Sequence, residues 1–163
     1  ISIPEFIEQY EKKRIPIIIS KQYVSNFQRG IERWKNGIAK GIASINTDVN
    51  GKFRCGPRSI SIHSFSEYCQ SISSFLEESP LYIFDCRFAE NFPELETDYV
   101  VPEIFVGGNR DLFELLGKKN RPDYRWVICG AAKSGSKWHV DPNCTNAWNV
   151  SLKGKKKCSN LLR

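Results

Sequence analysis

Lys137-Trp138-His139-Val140-Asp141-Pro142 is the stretch from which the rest of this chain can be placed. Its spacing predicts a strand over 137–141. Side chains two apart on a strand share a face, so His139 and Asp141 project to the same side. An imidazole nitrogen and a carboxylate oxygen then address one point, as do two arms of the 2-His-1-carboxylate triad that holds non-haem Fe(II). The third arm should be a later histidine. The chain has two histidines in all; the other, His63, lies far upstream beside Phe65 and reads as a structural residue next to a helix cap. Taken alone, the His-x-Asp pair is as readily two surface residues of a strand as two ligands.

Outward from this stretch the sequence alternates between apolar runs and turn signals. Downstream, residues 147–152 read as a strand leading into Gly154 and the lysines 155–157. Upstream, strands are predicted over 124–129 and 80–85, and a short helix over 110–116 is ended by Gly117 at its C′ position. Ser64 and Glu67 form a capping box that opens a helix to about residue 78. Asn50-Gly51 marks a hairpin within 46–56. Phe27, Ile31, Trp34 and Ile38 fall at helical spacing within 22–43, with Gly37 and Gly41 weakening the far end. Residues 15–20 read as a short buried strand. Ser2 and Glu5 make a second capping box, opening a helix that the charged residues 11–14 close. Helices come first and strands follow from about residue 80, the order of an α+β protein.

The composition narrows the classes of function. At 163 residues, 40% hydrophobic and 26% charged, the chain fits one globular domain. The longest apolar run, Ile15-Pro-Ile-Ile-Ile19, is too short to span a bilayer, and no secretory leader pattern is visible. There is no methionine, so Ile1 reads as an internal start. Six cysteines without a CxxC pair read as free thiols. A net charge of +6 permits a nucleic-acid partner, but no DNA- or RNA-binding motif supports one. The sequons at Asn143 and Asn149 carry little weight.

Between residues 80 and 156 a set of short strings follows in one order. They are Pro80-Leu-Tyr-Ile-Phe-Asp85, Val101-Pro102, Asp111-Leu-Phe113, Arg121-Pro-Asp-Tyr-Arg-Trp126, Ser134-Gly-Ser136, His139-Val-Asp-Pro142, Thr145-Asn-Ala-Trp-Asn149 and Gly154-Lys-Lys156. This series resembles the Jumonji C (JmjC) family, specifically its phosphatidylserine-receptor-like branch. The upstream half is similar more loosely, through the helix at 3–13, Pro16-Ile-Ile18 and Phe53-Arg-Cys-Gly56. The resemblance implies a single domain over 1–163, with a mainly helical region at 1–79. Residues 80–163 would then be the first half of a double-stranded β-helix, a cupin-like jelly roll. It implies a 2-oxoglutarate- and Fe(II)-dependent oxygenase that hydroxylates or demethylates lysine or arginine side chains of proteins such as histones. A nuclear (or cytoplasmic) location follows from that substrate class, with no membrane partner.

By the same resemblance, His139 and Asp141 match the first two metal ligands. Lys156 matches the lysine that pairs with the distal carboxylate of 2-oxoglutarate, and Asn149, Tyr82 and Ser136 match polar residues lining the cofactor pocket. The chemistry is coherent: a buried dianion needs a fixed cation at its far end, and an ammonium is a compact point charge. Hydroxyls and an amide satisfy the remaining oxygens without adding charge. The family pattern then continues into a tryptophan and a distal histidine, whereas here Cys158 stands at the tryptophan position and no histidine follows. The expectation is therefore a JmjC domain truncated before its distal histidine, lacking the third metal ligand. The alternative is a catalytically inactive JmjC remnant acting as a protein-binding or regulatory module.

Overall fold

In the computed structural model, residues 1–37, 40–41, 51–108 and 110–159 are described. The chain starts as its capping box dictates. The Ser2 hydroxyl accepts the Glu5 N–H, the Glu5 carboxylate accepts the Ser2 N–H, and α1 (Ile3–Phe6) runs on into a π-helical turn, Ile7–Glu11. Residues 15–20, expected as a buried strand, are instead irregular, and Ile18 is 94% exposed. Two physical reasons stand out. Pro16 lacks the N–H a ladder needs, and left-handed residues at Arg14 and Lys21 (φ 56° and 65°) turn the backbone at each end.

The helical stretch expected over 22–43 begins as a 3₁₀ turn, Val24–Phe27, and becomes α2 (Gln28–Trp34). Gly37 at φ 93° follows, while Ile38 and residues 42–43 lie outside the described residues. The expected hairpin is displaced along the chain. Asn50 and the residues before it lie outside the described set, and β1 (Lys52–Cys55) pairs antiparallel with β2 (Arg58–Ser61) across the two-residue loop Gly56-Pro57. Gly56 has φ 61°, which a side-chain-bearing residue resists at the first position of so tight a loop.

The next helix is capped three residues earlier than its sequence suggests. Ser61, not Ser64, accepts the N–H that opens α3 (Ile62–Gln70). Ser71 then breaks the helix and caps α4 (Ile72–Leu76) through the Ser74 N–H. After β3 (Tyr82–Asp85) come α5 (Phe88–Asn91), a 3₁₀ stretch Pro93–Asp98 and α6 (Glu103–Val106). The helix expected at 110–116 is the 3₁₀ helix Leu112–Leu116, closed by Gly117 at φ 66°. β4 (Val127–Gly130) pairs antiparallel with β3, setting Tyr82 opposite Gly130 and Phe84 opposite Ile128.

The core lies where β1 and β3 meet the helices. Phe53, Phe65, Ile83, Phe88, Phe92 and Leu95 bury one another, and the Phe53 and Phe92 rings stack at 4.2 Å. The two ladders are joined there by a side chain. The buried Asp85 carboxylate accepts the Arg54 N–H of β1 at 2.9 Å and the Arg87 N–H at 2.7 Å. Arg33 of α2 grips Asp98 with two bonds of 2.6 and 2.8 Å.

Residues 137–141 and 147–152, expected as strands, are irregular. β4 pairs only with β3 among the described residues, so neither segment meets a ladder. Mixed helix and sheet make the architecture α+β, with two two-stranded ladders among the described residues. The outer face of the second carries Tyr82, Phe84, Trp126 and Ile128. Phe84 stacks on Tyr82 at 6.3 Å and on Trp126 at 5.7 Å. No helix among the described residues is long and apolar enough to cross a membrane.

Candidate metal and anion site

The six candidate residues come together as three pairs. His139 and Asp141 converge without a strand to align them, with Nε2 3.2 Å from Oδ1. On the other side of the ring, His139 Nδ1 lies 2.6 Å from the Lys137 carbonyl oxygen. Since a carbonyl can only accept, the Nδ1–H donates in that contact, which turns the Nε2 edge of the ring towards Asp141. Metal-binding histidines are oriented in this way. Two donors each about 2 Å from one divalent ion at right angles lie about 3 Å apart, so the observed spacing fits two adjacent ligands. His139 is exposed and Asp141 is half-buried. Among the described residues no three His, Cys, Asp or Glu side chains gather as a metal site. His139 and Asp141 therefore fit an ion as two of its ligands, and a third must come from elsewhere.

The second pair is Asn149 and Lys156. The Lys156 ammonium donates to Asn149 Oδ1 at 2.7 Å. Gly154, at φ 85°, turns the chain between them. The irregular segment carrying both residues lies back over the helices. Trp148 stacks on Phe105 of α6 with ring centroids 5.1 Å apart and planes 5° apart, and it packs obliquely on Phe27 at 5.9 Å. Leu152 packs against Gly30 of α2, where a Cβ would sit 3.3 Å from Leu152 Cδ1. Lys153 Nζ donates to the Lys35 carbonyl at 2.7 Å.

Tyr82 and Ser136 form the third pair, the Ser136 hydroxyl near enough to the phenol to act on its proton affinity. Burial pushes the Tyr82 phenol up from its ordinary range, the Ser136 hydroxyl opposes this, and the Cys129 and Cys158 thiols add to the rise. The phenol is thus neutral at physiological pH, able to donate and accept without adding charge. Its place depends on Gly130 across the ladder. A Cβ there would lie 1.8 Å from Ser134 Oγ and 2.8 Å from the Tyr82 ring. No hydrogen bond among the described residues joins His139 or Asp141 to the other two pairs.

Sequence reasoning did not single out Trp148, Gly130, Gly154 or Cys158 for these roles. The glycines were visible as glycines, but what they make room for is set by distant parts of the chain.

No family profile matches the chain. Individual relatives do. It is 38% identical over 157 residues to arginine-specific demethylase JMJ22 of Arabidopsis thaliana, covering 96% of this chain and 28% of that protein. It is 36% identical to lysine-specific demethylase JMJ21 of the same plant, over 96% of this chain and 16% of that protein. It is 33% identical to the bifunctional arginine demethylase and lysyl-hydroxylase psr-1 of Caenorhabditis elegans, over 96% of this chain and 38% of that protein. The chain thus spans well under half the length of each. Identity of this order along nearly all of its residues shows that the chain belongs to the JmjC family of arginine and lysine demethylases, in its phosphatidylserine-receptor-like branch.

Proposed function

We propose that this chain carries part of the active site of an Fe(II)- and 2-oxoglutarate-dependent oxygenase acting on lysine or arginine side chains of nuclear proteins such as histones. The observation that carries the reading is the His139–Asp141 convergence, with the ring proton held on Nδ1 by Lys137. His139 Nε2 and Asp141 Oδ1 would hold the iron. Lys156, oriented by Asn149, would take the distal carboxylate of 2-oxoglutarate, as one charge-assisted bond on an acceptor-rich anion. Tyr82 and Ser136 would supply neutral hydroxyls to the remaining oxygens. When bound, iron and 2-oxoglutarate would let O2 act as the oxidant, one oxygen atom entering a C–H bond while 2-oxoglutarate takes the other and is converted to succinate and CO2; a hydroxylated N-methyl group would leave as formaldehyde.

Binding measured separately for the two groups tests this. Calorimetry under anaerobic conditions should show Fe(II), or Mn(II) in its place, binding the protein and then 2-oxoglutarate binding the metal-loaded form. His139→Ala and Asp141→Ala should abolish the metal step. Lys156→Ala should leave it intact and weaken 2-oxoglutarate about 10- to 100-fold, as expected for loss of a hydrogen bond to a charged group. Absence of either binding step from the unaltered protein would remove the proposal.

A second reading is favoured by one observation, that only two ligand-type side chains meet among the described residues. On it the chain is a non-catalytic protein-binding module. It would then bind lysine- or arginine-bearing peptides with an affinity indifferent to metal and 2-oxoglutarate.

A further inference from the structure

The segment bearing Asn149 and Lys156 has no ladder to fix it, yet the two side chains are in register. We infer that Trp148 is the positioning residue of this pair: held against Phe27 and Phe105, it sets the place of Asn149 and so presents the Lys156 ammonium as a preformed anion seat. This rests on the function proposed above and deepens it, by assigning control of anion affinity to the N-terminal helical layer.

Three anchors support it, each on a helix or the end of one. Trp148 lies nearly parallel to the Phe105 ring and oblique to the buried Phe27 ring. Four residues on, Leu152 fills the space left by Gly30, and Lys153 then bonds the carbonyl of Lys35 just past α2. Only after these anchors does Gly154 turn the chain and return Lys156 to Asn149. An unanchored lysine gives up rotamer entropy on being fixed. Asn149 meets part of that cost by offering its amide oxygen, but only if its own backbone is already fixed. Asn149 is exposed, and the neighbouring Trp148 side chain is the nearest one that packs. Loss of the ring therefore frees Asn149 first and Lys156 through it. His139 and Asp141 precede the anchors and depend on none of them.

The test is calorimetric binding of 2-oxoglutarate and, separately, of Mn(II) to the whole chain as wild type, Trp148→Ala, Trp148→Phe and Lys156→Ala. Trp148→Ala should weaken 2-oxoglutarate by tenfold or more and leave the Mn(II) affinity within twofold. Trp148→Phe keeps a ring on Phe105 and should recover a large part of the loss. That split, anion affinity lost and metal affinity kept, with rescue by another ring, is not produced by general loosening of the fold. The same order should appear in the acetylation rate of the Lys156 amine, slowest in wild type, which needs no bound ligand. If Trp148→Ala binds 2-oxoglutarate as wild type does while Lys156→Ala does not, the positioning role is wrong and the proposed function stands. If no form binds 2-oxoglutarate, both fall. Should Trp148→Ala lose its circular-dichroism signal, Phe105→Leu replaces it, and an unchanged 2-oxoglutarate affinity in that variant overturns the inference.

Discussion

Removing the Arg33 guanidinium should be among the most costly single changes in this protein. Asp98 is 5% exposed, and Arg33 meets it with two charge-assisted bonds of 2.6 and 2.8 Å from Nε and Nη2. The partnership with Asp98 is the main reason the guanidinium holds its proton even more firmly than usual. Arg33→Met keeps much of the packing volume but leaves a carboxylate buried without its counter-charge. Breaking a buried pair in this way costs about 3–5 kcal/mol, a large fraction of the roughly 5–15 kcal/mol that holds a domain together. The double variant Arg33→Met/Asp98→Leu removes the stranded charge as well as its partner. It should be more stable than Arg33→Met alone, with a coupling energy of about 1–3 kcal/mol. Urea unfolding followed by tryptophan fluorescence measures all four corners of the cycle. A loss below about 1 kcal/mol in Arg33→Met, or additivity within about 0.5 kcal/mol, would refute the reasoning. Because α2 also carries Gly30 beneath Leu152, the single variant should loosen the Lys156 segment too.

Burial pushes the Cys129 thiol up to about 12, so the folded state favours its neutral form. Its contribution to stability is present below about pH 9 and lost as pH rises towards 12, by at most about 1.4 kcal/mol per pH unit. Cys129→Ala should flatten the fall of the urea midpoint between pH 9 and 11, and parallel curves would count against this. Gly130→Ala would press on Ser134 and the Tyr82 ring and should cost about 1–3 kcal/mol; adding Ser134→Gly should recover part of it, and a wild-type melting temperature in the single variant would contradict the geometry. Ser2→Ala removes the oxygen that accepts the Glu5 N–H and should lower stability by about 1 kcal/mol, seen as a small drop in thermal midpoint. Asp85→Ala leaves two backbone N–H groups without their acceptor and should cost about 2–3 kcal/mol, measured by denaturant unfolding.

Features legible in the sequence share one property: their partners are local. The Ser2/Glu5 box, the strand core at Tyr82–Asp85 and the helix stop at Gly117 all appear in the structure. His139 and Asp141 do meet, but not through the strand from which their meeting was expected, since 137–141 is irregular backbone. Where competing local signals existed, tertiary context chose. The capping box expected at Ser64 and Glu67 gave way to a cap at Ser61, where β2 ends. Apolar runs at 15–20 and 147–152 looked like strands, but a strand also needs a neighbour that no run of residues announces. The Asn149–Lys156 pair needs Gly154 to fold the chain back, and Trp148 needs rings from two other elements. The roles of the candidate residues came from the family resemblance, not from periodicity.

The bond from Lys153 to the Lys35 carbonyl spans 118 residues of sequence. Contacts between such distant points form late in folding, because the loop they close must be ordered before they return any stabilisation. During synthesis the helices and both two-stranded ladders leave the ribosome before Trp148 and Lys153, and can collapse around the Phe53–Phe92 core in the meantime. The rings of Phe27 and Phe105 then wait as a prepared berth for a segment translated after them. The anion seat is, on this order, the final part of the described chain to take shape. It should also be the first to open in native-state hydrogen exchange, at a free energy well below that of global unfolding.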